Sequence, residues 1–276
     1  MINKLRVKGR NHPIVAFLAI ANVSTLGLGA VAFSPILGDF PAFRTICEYG
    51  AKFGASAGAC LAALILWGRP GLAALLAPVA RWRVAPRWYA LAIAGPVALV
   101  AAGLAITAAT GDSMVRANPA PWLLLGAFVT PIFLGGGLGE EIGWRAYMLP
   151  LLQCRLGPLR ASLAIGLCWG LWHAPAFMFE GTGKSGGITG LVVFTILCTV
   201  LSVIFTWVFN ASGGSLAITI LLHGCFNGSL DAADLLFPGA EPDLYVAVAL
   251  LVMAVVLALG TRLGAPAGRN YQNCTV

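Results

Sequence analysis

The sequence has few charged side chains. Only 10% of its 276 residues are Asp, Glu, Lys or Arg, whereas 59% are hydrophobic and the mean hydropathy is +0.88. A soluble domain carries about 25% charged residues, so the composition excludes an ordinary soluble protein and predicts a polytopic membrane protein. The 34 glycines further predict helices that pack closely through small residues.

Histidine is also scarce, at three residues, and the placement of the cysteines and of the charges excludes two kinds of site. The seven cysteines include no CxxC pair, so no cysteine zinc site is predicted. The net charge of +7 could suit nucleic acid, but the basic residues stand at the ends of apolar runs and form no stripe with interleaved aromatic residues. We therefore expect membrane lipid, and not nucleic acid, as the surroundings of this chain.

Eight apolar segments approach the length of about 20 residues that crosses a bilayer. They lie near 14–36, 50–68, 88–110, 121–139, 160–179, 187–209, 214–232 and 243–261. Two further segments, 69–87 and 147–156, mix apolar and basic residues and are predicted to lie in the membrane interface. The expected fold class is all-α, with one membrane-embedded domain over residues 1–276, about eight transmembrane helices and short interfacial helices.

The charges between these segments predict the orientation. If the N-terminus is cytoplasmic, thirteen Lys and Arg residues lie on the cytoplasmic side and four on the opposite side. Short loops rich in Lys and Arg stay in the cytoplasm, so both termini are predicted to be cytoplasmic, and the compact chain fits a bacterial inner membrane. Eight of the ten acidic residues fall on the outer side, and the two exceptions are Glu140 and Glu141.

These two glutamates begin the first of three polar motifs that lie within apolar segments. Ionisable residues are costly in hydrocarbon, so they indicate a functional site there. In Glu140-Glu141-Ile-Gly-Trp-Arg145, the last two charged residues share a helix face at i and i+4 and can pair. Glu140 points about 100° away and can face another helix. One carboxylate is thus expected to be a fixed anion and the other a base; an ordinary ion pair at a solvated helix end is the alternative.

Two histidine motifs lie in later segments. Trp169-Gly-Leu-Trp-His173 precedes Pro175, which would break or kink the helix, and His223-Gly-Cys-Phe-Asn227 places its polar residues on one helix face. The alternatives are a histidine that only satisfies a hydrogen bond, and interhelical hydrogen bonding worth only about 1 kcal/mol in a membrane. The direction of the segments places all three motifs in the cytoplasmic half or near the middle, so a shared cavity that opens to the cytoplasm is expected.

In this order, the three motifs resemble those of the CPBP intramembrane (metallo)proteases, which include the CAAX endopeptidases and the bacterial Abi proteins. The resemblance covers about residues 120–230, and the eight-helix plan extends it to most of the chain. Trp169 stands where the family more often has Phe, which we expect to alter packing only mildly.

The resemblance implies a catalytic role for the polar residues of the motifs. Glu140 and His173 would activate a water molecule that attacks a peptide carbonyl, while Glu141 and Arg145 would hold the helix end in register. The expected activity is that of an intramembrane endopeptidase. It would cleave a membrane-associated peptide or lipidated protein near the cytoplasmic face, with prenylated proteins among the candidate substrates.

The remaining two residues have two possible roles under the same resemblance. His223 and Asn227 would either donate hydrogen bonds to the oxyanion or join Glu140 and His173 in binding one divalent metal such as zinc. The chain has no HExxH motif, so its residues also permit hydrolysis without a metal.

Two other functions remain open at this point. One is a non-proteolytic immunity or scaffold protein on the same fold, which could tolerate the loss of His173 or Asn227, although all six polar positions are present here. The other is a secondary transporter, a class that commonly shows inverted repeats with matched interrupted helices. The sequence shows no internal repeat of that kind.

Overall fold

The computed structural model describes residues 11–32, 34, 40–110, 114–178, 186–240 and 242–260, and these are helical with no β-strand among them. The predicted all-α polytopic membrane fold is confirmed. The basic residues of segment 1–10, Lys184 and everything from residue 261 onward lie outside the described residues, as do the ends of the predicted segments at 33, 35–36, 179 and 261.

The helices follow the apolar segments, and four of them begin at a proline, whose missing N–H is not needed in a first helical turn. They are α1 (Pro13–Ala32), α2 (Pro41–Lys52), α3 (Gly54–Leu76), a 3₁₀ turn (Ala77–Ala80), α4 (Pro86–Ala109), α5 (Pro121–Phe133), α6 (Gly136–Glu141), a π-helical segment (Ile142–Met148), α7 (Leu149–Trp172), α8 (Ala174–Met178), α9 (Gly187–Ala211), α10 (Leu216–Leu236) and α11 (Asp243–Gly260).

Among the described residues, seven helical stretches are long and apolar enough to cross a membrane, and one of these runs from Pro121 to Trp172. A straight helix of its 52 residues would be about 78 Å long, more than twice the hydrocarbon thickness of about 30 Å. The stretch is interrupted between α5 and α6 and again at Gly157, whose φ is 74°. It therefore contains the fourth predicted segment, the short predicted interfacial segment and the fifth predicted segment as far as Trp172.

The structure adds a helix ahead of the second predicted segment. Helix α2 leads into α3 with a break only at Phe53, and α2 packs along α1. The apolar part of α3 then ends at Gly68, whose φ of 72° bends the chain ahead of Pro70. The predicted interfacial segment begins directly after this bend.

Helix α10 is the most deeply buried of the seven stretches. It packs against α4, α5 and α6, while α7 packs against α9 and α1 against α3. Small residues permit these crossings: a Cβ on Gly228 would lie 2.7 Å from the carbonyl oxygen of Ala127, and one on Gly166 would lie 3.0 Å from that of Cys198. The polar residues of α10 are consequently held close to those that follow α5.

Candidate active site

Glu141 is at the centre of a buried polar group that joins two of the stretches. Its Oε1 accepts a hydrogen bond from Arg145 Nη1 at 3.1 Å and lies 2.8 Å from His223 Nδ1. Glu141 and Arg145 are 0% exposed and His223 is 3% exposed. The predicted contact between Glu141 and Arg145 is present, and His223 from α10 contacts the same carboxylate oxygen.

Aromatic rings surround the cation of this group. The Cζ of Arg145 lies 5.1 Å from the ring centroid of Trp169 and 5.0 Å from that of Phe205. Cation–π contacts of this kind gain strength when the cation is desolvated. The guanidinium is therefore stabilised by one carboxylate and two ring faces.

The backbone around the glutamates is unusual. The helix changes to π-helical geometry directly after Glu141, over Ile142–Met148. Single π turns inside helices occur often at functional sites. Gly143 permits this turn to lie against the start of α3, since a Cβ there would be 2.7 Å from the carbonyl oxygen of Ala55. Ser56 Oγ also donates to the carbonyl oxygen of Leu138 at 2.8 Å, which fixes α6 to α3.

Glu140 has different surroundings from its neighbour. Its Oε2 accepts hydrogen bonds from two indoles, Trp144 Nε1 at 3.3 Å and Trp169 Nε1. Trp169 therefore does more than alter packing, because the Phe that is more frequent in the resembled family has no N–H to donate. The side chain of Glu140 is 6% exposed, so two indoles and not bulk water set its orientation.

The second oxygen of Glu140 and the imidazole of α10 both lie against Gly136. A Cβ added to this glycine would lie 3.1 Å from Glu140 Oε1 and 2.7 Å from His223 Cε1, and nearer still to His223 Nε2. Because Nδ1 of this histidine faces the Glu141 carboxylate, we assign the proton to Nδ1 and the lone pair to Nε2. A side chain at position 136 would therefore collide with the imidazole, so the glycine permits His223 to approach the helix of Glu140 closely.

His173 lies at the end of α7 and is half-buried. Its Nδ1 lies 2.9 Å from the carbonyl oxygen of Trp169, which can only accept, so Nδ1 is the donor. The Trp169 ring borders both histidines, with centroid distances of 6.5 Å to His173 and 5.3 Å to His223. His173 is thus connected to Glu140 through this tryptophan, while His223 lies beside Glu140 at Gly136.

Asn227 lies one turn beyond His223 on the same face of α10 and is half-buried. Its neighbour Gly228 packs on the backbone of α5. The amide is therefore placed one helical turn from the imidazole.

The resembled family raises the question of a metal. A catalytic zinc commonly has three protein ligands, and within the described ranges no group of three or more His, Cys, Asp or Glu side chains could hold a metal ion. Next to Gly136 lie one carboxylate oxygen, from Glu140, and one imidazole, from His223. This pair does not fit a three-ligand site. Metal binding by Glu140, His173, His223 and Asn227 stays a prediction.

Sequence reasoning overlooked Trp144 and Gly136, although a signal for both was present. Each lies four residues from Glu140, the same spacing that predicted the contact between Glu141 and Arg145. In a helix, the residues four positions before and after a given residue are neighbours of its side chain. The same spacing therefore also indicates the neighbours of Glu140.

Known proteins are similar to this chain over the region that contains the site. Residues 116–229 match the family model described as type II CAAX prenyl endopeptidase Rce1-like. The chain is also 30% identical over 94 residues to a protein of Methanococcus maripaludis named CAAX prenyl protease 2, an alignment that covers 32% of this chain and 34% of that protein. The chain thus matches about a third of the length of this curated relative. All six predicted site residues fall between 116 and 229.

Replacement of Glu141 by Gln should strongly destabilise the protein. It would leave the buried Arg145 without its counter-charge, and breaking a buried pair in this way costs about 3–5 kcal/mol. Thermal unfolding in detergent measures the effect. Glu48→Gln is the matched control, because Glu48 pairs with Arg44 at 2.9 Å and the same spacing on the surface, where the cost is under about 1 kcal/mol. Equal losses in the two variants would show that Glu141 has no special structural role.

Proposed function

We propose that this chain, whose residues 116–229 match the model of the Rce1-like CAAX prenyl endopeptidases, is an intramembrane endopeptidase. The observation that carries the proposal is that Glu140 Oε1 and the His223 imidazole lie next to the same glycine, Gly136, and hence close to one another. The substrate is a membrane-associated peptide, and the name of the relative favours a prenylated C-terminus. The apolar spans would accommodate the lipid part of such a substrate.

Glu140 is the proposed general base. A water molecule between the two side chains would donate one hydrogen bond to Glu140 Oε1 and another to His223 Nε2, so that its lone pair is directed toward a peptide carbonyl. As the water attacks, its proton passes to the carboxylate. The two indoles on Oε2 hold the carboxylate in one orientation, which favours this transfer because a base must lie within hydrogen-bond reach of the proton it takes.

Glu141 and Arg145 are proposed as positioning residues. The Glu141 carboxylate accepts from His223 Nδ1 and so keeps the lone pair of that imidazole on Nε2, toward the water. Arg145 pairs with the same carboxylate and supports its ionised form. A buried carboxylate that orients a catalytic histidine has the same task in the hydrolytic triad of serine proteases.

Two residues remain for the later steps. The Asn227 amide, one turn from His223, is proposed to donate to the oxyanion that forms on the carbonyl oxygen. His173 is proposed to protonate the leaving amine, because its Nδ1 already donates to the Trp169 carbonyl and its Nε2 is the nitrogen that gains and loses a proton.

The location of the protein is proposed from its charges and apolar stretches. The chain is an integral membrane protein, and we assign it to a bacterial inner membrane with both termini cytoplasmic and with residues 1–276 as one domain. Contacts support a site near the middle of the membrane. Gly139, which precedes Glu140, lies next to the carbonyl group of Lys52. The carbonyl oxygen of the adjacent Ala51 accepts a hydrogen bond from Thr25 Oγ1 at 3.1 Å. Thr25 is about 18 Å along α1 from Pro13.

Glu140→Gln should abolish peptide cleavage while the protein remains folded. Loss of a general base costs about 10²–10⁴-fold in rate, and Gln keeps the size of the side chain. The measurement is cleavage of a quenched, farnesylated reporter peptide in detergent, with and without a chelator. Glu48→Gln, an exposed change of the same type, should match the wild type. A Glu140→Gln variant as active as the wild type would remove the proposal, and loss of wild-type activity on chelation would show that the mechanism requires a metal.

Gly136→Ala should remove activity without removing either catalytic side chain. The new methyl group would lie 2.7 Å from His223 Cε1 and would displace this imidazole from Glu140, and misplacement of reacting groups by about 1 Å can cost 10²-fold. Gly126→Ala is the control, because no atom lies within 4 Å of a Cβ at that position in α5. Reporter cleavage is compared with the thermal midpoint of each variant. Full activity of Gly136→Ala would show that the reaction does not depend on the position of the His223 imidazole.

Trp169→Phe should lower kcat about tenfold with little change in KM, because hydrogen bonds to charged groups contribute about 1.5–3 kcal/mol and Trp144 still donates to Glu140. The control is Trp172→Phe on the same helix, since the Trp172 N–H is buried without a hydrogen-bond partner among the described residues. The measurement is the kcat and KM of each variant, from steady-state kinetics on the reporter peptide. Equal kcat values for the two variants would mean that the Trp169 N–H does not position the base.

A further inference from the structure

A cleft with a volume of about 560 Å³ lies at one end of the helix bundle, outside the group formed around Glu141. Two short connections line it: residues 81–85 join the stretch Gly54–Ala80 to α4, and residues 212–215 join α9 to α10. All four of these helical stretches are long and apolar enough to cross a membrane. A connection of four or five residues between two such stretches lies at the membrane surface, and so does the cleft.

Arg81 is fixed in this cleft by the turn between α9 and α10. Its Nη1 donates to the carbonyl oxygen of Gly213 at 3.3 Å, and its own carbonyl oxygen accepts a hydrogen bond from Ser215 Oγ at 2.6 Å. Gly214 permits this approach, because a Cβ there would lie 2.9 Å from Arg81 Nη1. An arginine carries five N–H donors, and among the described residues the side chain of Arg81 makes this one hydrogen bond. Its guanidinium therefore keeps donors for a ligand.

Arg83 is held in the same cleft by an aromatic ring. Its Cζ lies 5.0 Å from the ring centroid of Trp82, a residue that is 57% exposed. The backbone of Trp82 is fixed in turn, because its carbonyl oxygen accepts from Tyr89 Oη at 2.5 Å and from the N–H of Val84 at 2.9 Å. A guanidinium that lies against an indole keeps its N–H groups available for hydrogen bonds. Arg83 can therefore donate to the ligand that Arg81 contacts.

The protein does not neutralise the positive charge of the cleft. None of the residues that line it is acidic, and within the described parts of the chain neither Arg81 nor Arg83 pairs with a carboxylate. Helices α4 and α10 both begin beside the cleft, and neither has an acidic residue in its first turn. The start of a helix carries a partial positive charge, which disfavours nearby cations. Two arginines and two helix starts thus favour an anion at this surface.

The depth of the cleft indicates which anion is available. Arginine binds phosphate oxygens through two parallel N–H groups, and basic pockets between transmembrane helices bind the headgroups of anionic lipids. The exposed ring of Trp82 offers apolar surface beside the two arginines. Tryptophan is enriched at the level of the lipid headgroups, where its ring meets both apolar and polar groups. These neighbours suit a phosphate that is attached to a lipid.

We infer that the cleft between Arg81 and Gly213 binds a phosphate group, supplied by the headgroup of an anionic phospholipid. Arg81 and Arg83 donate to the phosphate oxygens, and the ring of Trp82 lies against the glycerol part of the lipid. Ser215, which donates to Arg81, also accepts from Ile218 in the first turn of α10 at 3.4 Å. A bound headgroup therefore stabilises the start of the helix that carries His223. The inference does not depend on the proposed peptidase activity.

Lipid titration of the full chain in detergent, followed by native mass spectrometry, tests this site. The probes are phosphatidylglycerol and phosphatidylcholine, with inorganic phosphate as a competitor. Phosphatidylglycerol should bind at least about tenfold more tightly than phosphatidylcholine, because each arginine near a membrane surface favours an anionic lipid severalfold. Displacement of phosphatidylglycerol by excess inorganic phosphate would show that the cleft also takes up free phosphate. Retention of the lipid under the same conditions would assign the cleft to the headgroup alone.

Arg83→Gln and Arg87→Gln form a matched pair. Both arginines are exposed, and each lies against a tryptophan ring, with Cζ 5.0 Å from the Trp82 centroid and 5.4 Å from the Trp88 centroid. Only Arg83 lines the cleft. Arg83→Gln should weaken the binding of phosphatidylglycerol about tenfold, as expected for the loss of a hydrogen bond to a charged group. Arg87→Gln should weaken it less than about threefold, because an exposed charge outside the cleft acts only through screened attraction.

Three results would overturn the inference. They are equal binding of the two lipids by the wild type, unchanged binding of phosphatidylglycerol by Arg83→Gln, and equal losses in Arg83→Gln and Arg87→Gln. Both positions are exposed, so the thermal midpoints of the two variants in lipid-free detergent should equal that of the wild type. Binding requires no hydrolysis, so a chain that binds the lipid but cleaves no reporter would keep this site and lose its proposed function.

Discussion

The site depends on the carboxylate of Glu141, which holds an arginine from its own helical turn and a histidine from α10 on a single oxygen. All three groups are almost fully buried, so each would be a costly unpaired polar group without the others. Because the carboxylate accepts from one nitrogen of His223, it also fixes which nitrogen faces Glu140. A single buried anion thus joins two spans and orients the imidazole.

Two adjacent residues of the same type acquire different tasks from their surroundings. Glu141 faces a guanidinium and is closed off by aromatic rings, whereas Glu140 receives two indole N–H groups on one oxygen and lies beside Gly136 with the other. Trp169 connects these surroundings, since its ring lies against Arg145 and both histidines while its N–H donates to Glu140. A Phe would retain the ring contacts and lose the hydrogen bond.

The helical membrane fold was predicted from the lengths of the apolar segments, and the contact of Glu141 with Arg145 from their spacing of four residues. Both features depend on residues that are close in the sequence. The second predicted segment corresponds to the apolar part of α3, whereas α2, which leads into it, was not predicted, because charged residues such as Arg44 and Glu48 lower its hydropathy. The contact of His223 with Glu141 joins positions 82 residues apart, and no local pattern encodes it. The resemblance implied that Glu140 acts with His173, and the structure places His223 beside Glu140 as well, at Gly136, because helix crossings decide which side chains meet.

Hydrolysis inside a bilayer requires water at one bond and a barrier to ions elsewhere. Close packing of the spans supplies the barrier, because packed interiors leave few voids larger than a water molecule. On α10, Leu216, Ile218 and Ile220 before His223 are almost fully buried, whereas Asn227 one turn after it is half-buried. The tightest packing of this helix therefore lies on one side of the imidazole, where it holds His223 against Glu141.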